Sequence, residues 1–173
     1  VPADPLLLSG LIEIYRSHRP AIHLAADTER YLATHSRPVA LVTDGPSATQ
    51  ARKVRALGLA PRLGYSVYTG ALGPGFGKPH PHAFQLVETW AARFGGPLVY
   101  VADNPLKDFV APRARGWLTV QIERPERVHR VEAPDAAHEA HVRIESLDHL
   151  DDRLDRLLTV ASRPCARADR YSG

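Results

Sequence analysis

Residues 98–108, Leu-Val-Tyr-Val-Ala-Asp-Asn-Pro-Leu-Lys-Asp, restrict this chain to a narrow set of folds. A short apolar run stops at Asp103, Asn104-Pro105 opens what reads as a helix over residues 105–115, and a second acid, Asp108, follows one turn in. A strand that turns directly into a helix presents side chains on the rim of a sheet, where open α/β folds bind ligands. Two carboxylates held on such a rim can share a hard cation such as Mg²⁺, which takes oxygen ligands and keeps part of its water. The local alternative is that Asp103 serves the turn and Asp108 is a first-turn acid favoured by the helix dipole.

The same pattern recurs along the chain. Residues 37–43, RPVALVT, form a short apolar run of the kind found in buried parallel strands. A helix over residues 48–57 follows, stopped by Gly58. A strand at 65–69, a helix carrying Phe84, Val87, Trp90, Ala91 and Phe94 on one face, a strand at 117–122 and an edge strand at 141–144 continue the alternation. Helices at 5–18 and 27–35, the second capped by Asp27, precede it, and a helix over 147–160 capped by Ser146 closes it. The reading is an α/β, Rossmann-like, mostly parallel sheet flanked by helices, within one domain's length of 173 residues.

Composition excludes several functions. A formal charge of +3 gives no basis for nucleic-acid binding, and no apolar run approaches a membrane span. A lone cysteine, Cys165, offers neither a disulfide framework nor a thiolate metal site, and nothing resembles a signal peptide, which together point to a cytoplasmic protein. Basic residues are nearly all arginine, so the three lysines, Lys53, Lys78 and Lys107, carry more information than usual.

Candidate chemistry lies at the ends of the apolar runs. Thr43 closes one of them ahead of Asp44-Gly45, where a hydroxyl and the N–H groups of a helix start could bind a ligand oxygen; a turn or cap role is the local alternative. Lys78 follows the loop Gly73-Pro-Gly-Phe-Gly-Lys78-Pro79 and suits a phosphoryl oxygen or carboxylate, with a solvated loop lysine as the alternative. The loop is not a Walker A motif, which would require glycine at Leu72 and Ser or Thr at Pro79. His80 with His82, and His138 with His141, do not have the H-E-x-x-H spacing and read as surface residues.

Taken in order, strand–Thr43, Gly77-Lys78-Pro79 and strand–Asp103-x4-Asp108 resemble the haloacid dehalogenase-like (HAD-like) hydrolase superfamily, in its phosphatase branch, over roughly residues 5–160. The resemblance implies Mg²⁺-dependent phosphoryl transfer through an aspartyl-phosphate. It implies that Thr43 and Lys78 are catalytic and that Thr43, Asp44, Gly45 and Lys78 bind phosphate. Asp103 and Asp108 would then hold the metal, with Asp108 alternatively fixing Lys78. Ala102 replaces the glycine often found before the first acid. The family's first motif, a strand followed by D-x-D, supplies nucleophile and general acid, and no D-x-D occurs in the sequence.

The expected chain is therefore a HAD-like core (25–161) missing its first strand, with a helical cap remnant (1–24) and a loose tail (162–173). The start at Val1 and the absence of methionine point to a fragment whose nucleophile lies outside it. A small phosphorylated substrate and a missing N-terminal segment, or a second chain completing the sheet, are the expected partners. Without the nucleophile no turnover is expected. A non-catalytic pseudo-enzyme that binds a phosphorylated ligand or a partner chain is the alternative. A receiver-like module ranks below both, because Asp44 follows Thr43 instead of lying a strand upstream.

Overall fold

The computed structural model describes residues 4–161, the last two by backbone alone; the C-terminal segment 162–173, with Cys165, lies outside the described residues. The chain runs α1 (Pro5–Ser17), α2 (Ala26–Thr34), β1 (Ala40–Thr43), α3 (Ser47–Ala56), β2 (Tyr65–Tyr68), α4 (His82–Ala91), β3 (Val99–Ala102), α5 (Val110–Ala114), β4 (Leu118–Ile122), β5 (Val142–Ile144) and α6 (Leu150–Ala161). The strands are parallel but form two pieces. β1 pairs with β2 from Ala40↔Tyr65 to Thr43↔Tyr68, and a separate sheet has the order β3-β4-β5. The expected α/β architecture with parallel strands and flanking helices is what the chain adopts.

Helix α4 holds the two pieces together. Its Ala83, Phe84 and Val87 share one apolar cluster with Val42 of β1, Val67 of β2, Ala111 of α5 and Trp117 beside β4. The Phe84 ring has no exposed surface and meets Tyr100 and Trp117 edge-on at centroid distances of 5.1 and 5.6 Å. On the polar side of α4, Glu88 accepts hydrogen bonds from Arg115 Nε and Trp117 Nε1, each 2.7 Å. The Arg115 guanidinium, opposed by partial burial and aided by Trp117, holds the Glu88 carboxyl below its usual range.

A second apolar cluster, Val120, Ile122, Ile144, Leu150 and Leu154, packs α6 on β4 and β5, with Tyr31 of α2 against it. Helix α2 is fastened there by charge. Asp27, buried, accepts from Arg124 Nε and Nη2 at 2.9–3.2 Å and from the Leu147 N–H at 2.9 Å. Burial pushes its carboxyl up, but those donors outweigh burial and hold it below the usual value. By contrast, α1 buries no residue, and Leu6, Leu7, Leu8, Leu11, Ile14 and Tyr15 face outward.

Three local expectations need correction. Asp27 does not cap α2: Ala25 stands at the cap without a side-chain bond, and Asp27 serves Arg124 and Leu147 instead. The helix expected over 105–115 is confined to Val110–Ala114. Asn104 Oδ1 accepts from the Leu106 N–H, Asp108 Oδ2 from the Asn104 N–H, and the Asn104 carbonyl from the Asp108 N–H at 3.0 Å, which closes residues 104–108 into a separate turn ahead of the helix. The strand expected from residue 37 begins at Ala40, because Pro38 has no N–H for a ladder and Arg37 turns to Asp151 Oδ1 at 2.5 Å.

If α4 bridges the two pieces, Phe84→Ala should cost about 3–5 kcal/mol in urea denaturation, from a cavity open to both. A loss of under about 1 kcal/mol would show that the pieces are held by something else.

Candidate functional site

β1 and β3 end on one rim, because the residues that follow them touch. Asp44, directly after β1, accepts Lys107 Nζ at Oδ2, 2.7 Å, from the turn after β3. At Oδ1 it accepts the Lys78 N–H (3.1 Å) and the Thr69 hydroxyl (3.0 Å). One carboxylate thus ties together the ends of β1 and β2, the glycine-rich loop and the turn after β3. Burial pushes Asp44 up, but Lys107, the Lys78 amide and ammonium, and Thr69 together hold it below the usual value of 3.8.

The local backbone allows this convergence at two glycines. Gly45 adopts φ +109°, which favours glycine, and turns the chain into α3. At Gly70 a Cβ would lie 2.3 Å from the Gly45 carbonyl oxygen, so the segments after β1 and β2 pack backbone to backbone.

Lys78 enters the rim from the glycine-rich loop through a cis Lys78–Pro79 peptide. Its ammonium donates to the Tyr100 hydroxyl at 3.1 Å and stands 2.7 Å from Asp108 Oδ1. Both charged side chains are nearly buried, at 10% and 3% exposure. The Asp108 contact is an ion pair rather than an aligned hydrogen bond, so Oδ1 accepts no hydrogen bond among the described residues. Burial, followed by the charges of Asp108, Asp44 and Asp103, pushes the Tyr100 phenol well above its usual range and keeps it neutral. Lys78 is thereby held extended with its charge on the rim.

Thr43 is the last residue of β1, and its hydroxyl donates to Gln50 Oε1 of α3 at 3.1 Å. Asp103 follows β3 and makes no hydrogen bond or ion pair among the described residues. The structure therefore groups Asp44, Lys78 and Asp108 by direct contact, with Thr43, Gly45 and Asp103 adjoining them in the chain. His80 and His82 lie against Phe76 at ring distances of 4.8 and 5.3 Å, while His138 pairs with Asp135 and His141 with Thr119. No group of three His, Cys, Asp or Glu side chains among the described residues could hold a metal. A hollow of about 350 Å³ lined by Glu123, Arg143, Glu145, His149 and Arg153 involves none of the rim residues. No described helix is long and apolar enough to cross a membrane.

Lys107, Tyr100 and Gln50 were not singled out as site residues from sequence. A signal existed for Lys107: it is one of three lysines in the chain and stands between the strand-end Asp103 and Asp108. Tyr100 and Gln50 read as an ordinary strand aromatic and an ordinary helix polar residue.

The depressed Asp44 carboxyl sets a pH dependence. Its contribution is present above the unfolded value of 3.8 and is lost as pH falls from there through the lower folded value. Asp44→Asn should be less stable than the parent by about 1–3 kcal/mol at neutral pH, with the gap closing as pH falls below 3.8. A gap independent of pH in urea titrations would contradict this assignment.

No family model and no curated protein matches the chain. Solved structures do. The 2-haloacid dehalogenase from Pseudomonas syringae pv. Tomato superposes with a TM-score of 0.65 at 20% identity, covering 88% of this chain and 62% of that one. The L-2-haloacid dehalogenase from Xanthobacter autotrophicus gives 0.66 at 18% identity, over 90% and 69%. YfnB from Bacillus subtilis, described as a HAD-hydrolase and bound to magnesium, gives 0.58 at 20% identity, over 75% and 53%. The chain thus spans less than two thirds of the first and third of these. Its fold is similar to that of these structures: parallel strands flanked by helices.

Proposed function

We propose that this chain is the C-terminal part of a Mg²⁺-dependent phosphohydrolase acting on a small phosphoester, with its phosphate- and metal-site residues kept and its nucleophile absent. The observation that carries this reading is the buried Lys78 ammonium, fixed by Asp108 and Tyr100 at the rim where β1 and β3 end. An ammonium so placed offsets the charge of a phosphoryl group without having to reorganise. The Thr43 hydroxyl, by leaving Gln50, and the N–H groups of the Gly45 turn would hold phosphoryl oxygens. Asp44 contributes as an anchor: its carboxylate is already filled by Lys107, Thr69 and the Lys78 amide.

Magnesium suits the donors present. It takes oxygen ligands, needs only one or two carboxylates and keeps water and phosphate oxygens for the remainder. Asp103 supplies an unpartnered carboxylate, and Asp108 keeps a buried oxygen without a hydrogen bond. Bound there, the ion would supply charge neutralisation and in-line orientation of the ester. The pseudo-enzyme reading is favoured by one observation, that no D-x-D occurs in the 173 residues. On either reading residues 1–24 form a helical cap remnant and 25–161 the core. The contrast between α1, which buries nothing, and α2, which is pinned through Asp27, supports that division.

Inorganic phosphate with Mg²⁺, each at about ten times its dissociation constant, should raise Tm by a few degrees, on the order of 3 °C. Asp103→Asn should remove the Mg²⁺ part of the shift and Lys78→Met the phosphate part, and p-nitrophenyl phosphate should not turn over. Absence of any shift, or Mg²⁺-dependent hydrolysis lost on Asp103→Asn, would refute the reading.

A further inference from the structure

Helix α1 is amphipathic, yet its apolar side lies against nothing. By helical spacing Leu7, Leu8, Leu11, Ile12, Ile14 and Tyr15 occupy one half of its circumference, while Ser9, Gly10, Glu13, Arg16 and Ser17 share the other half with Leu6. Those six apolar side chains keep between 39% and 66% of their surface exposed. The helix is nonetheless closed at both ends. Asp4 accepts the Leu6 N–H at 2.9 Å, and the His18 N–H bonds to the Ile14 carbonyl. A contiguous apolar strip on the outside of a folded chain marks a contact surface.

Positive charge gathers at the C-terminal end of the strip. Arg16 and Arg19 are exposed there, and Arg52 Nη2 donates to the Arg16 carbonyl oxygen, which brings α3 against the last turn of α1. α3 carries Arg52, Lys53 and Arg55 and no acid, and Glu13 is the one acid of α1. Among the described residues the ion pairs of this chain go to other cations, so these five have no carboxylate partner. An apolar strip therefore ends in five unneutralised cations.

The combination selects the occupant. A second copy fits poorly: α1 has 13 residues, about 20 Å of helix, and offers a strip one helix wide. Stable interfaces bury about 800 Å² on each partner. A nucleic acid would meet the cations and leave the apolar strip in water. An anionic bilayer meets both, because its headgroups are negative and its acyl region is apolar.

We infer that α1 docks this chain on an anionic lipid surface, lying in the plane of the interface. Leu7, Leu11 and Ile14 enter the acyl boundary, and Arg16, Arg19 and the basic side of α3 sit among headgroup phosphates. Tyr15, with an apolar ring and a polar tip, stands at the boundary between them. Thirteen residues are too few to span, so the helix lies on the membrane and does not cross it. One short helix anchors weakly and a basic patch is screened by salt, so stable docking needs both signals together. The rim residues take no part, and binding of phosphate and Mg²⁺ there stands or falls separately.

The full 173-residue chain, floated with phosphatidylcholine vesicles with or without about 30% phosphatidylglycerol at about 0.1 M salt, tests this. The anionic vesicles should bind it about tenfold or more tightly than the neutral ones, and about 1 M salt should remove the difference. Leu11→Ser with Ile14→Ser should weaken binding about tenfold or more, with Tm unchanged because α1 buries no residue. Arg19→Gln with Arg55→Gln, whose side chains make no hydrogen bond or ion pair among the described residues, should bring anionic binding down toward the neutral value. The free chain should sediment as a monomer. No capture by either vesicle, equal capture by both, or capture unaffected by the serine substitutions would overturn the inference. So would a free dimer that those serine substitutions dissociate, since a second copy would then cover the strip.

Discussion

No hydrogen-bonded ladder joins β1 to β3, and the rest of the structure depends on how that break is spanned. Helix α4 spans it from below, with Phe84 wedged edge-on between Tyr100 and Trp117. Across the rim it is spanned by two ion contacts, Asp44–Lys107 and Lys78–Asp108. Apolar packing is non-directional, so α4 alone would fix the separation of the pieces poorly. The charged pairs provide direction, because a nearly buried pair such as Lys78–Asp108 tolerates little change in geometry before its desolvation is uncompensated. The same side chains that register the two pieces are the ones proposed to meet phosphate and magnesium.

That double duty explains the form of the rim. Lys78 and Asp108, both nearly buried, offset one another's charge at 2.7 Å, and Asp108 Oδ2 also accepts the Asn104 N–H. Tyr100 completes the arrangement as a neutral acceptor, its ionisation suppressed by burial and by three neighbouring carboxylates. Asp103 is the exception, an acid without a partner beside acids that all have one. On the proposed reading, one lysine locked, one carboxylate open and one threonine at a strand end would meet an anion and a cation together.

Much of the architecture was legible because it follows from local patterns. Apolar runs that stop at Thr43 and at Asp103 mark strands emerging on a rim, and the period of Phe84, Val87 and Ala91 marks a buried helix face. What was not legible follows from contacts distant in sequence. Asp27 looks like a helix cap until Arg124 and Leu147, about a hundred residues on, take its oxygens. The stretch after Asp103 reads as one helix, whereas it forms a turn closed on Asn104 and then a short helix from Val110. Lys107 becomes a rim residue only because Asp44, 63 positions earlier, is brought within reach.

The central claim is that the rim between β1 and β3 receives a phosphoryl group and a magnesium ion. Amide chemical-shift mapping of the ¹⁵N-labelled chain on adding inorganic phosphate with Mg²⁺ tests it most directly. The account predicts shifts concentrated at Thr43, Asp44, Gly45, Lys78, Asp103 and Asn104. Shifts centred instead on the hollow around Arg143 and Arg153, or none at saturating concentrations, would contradict it.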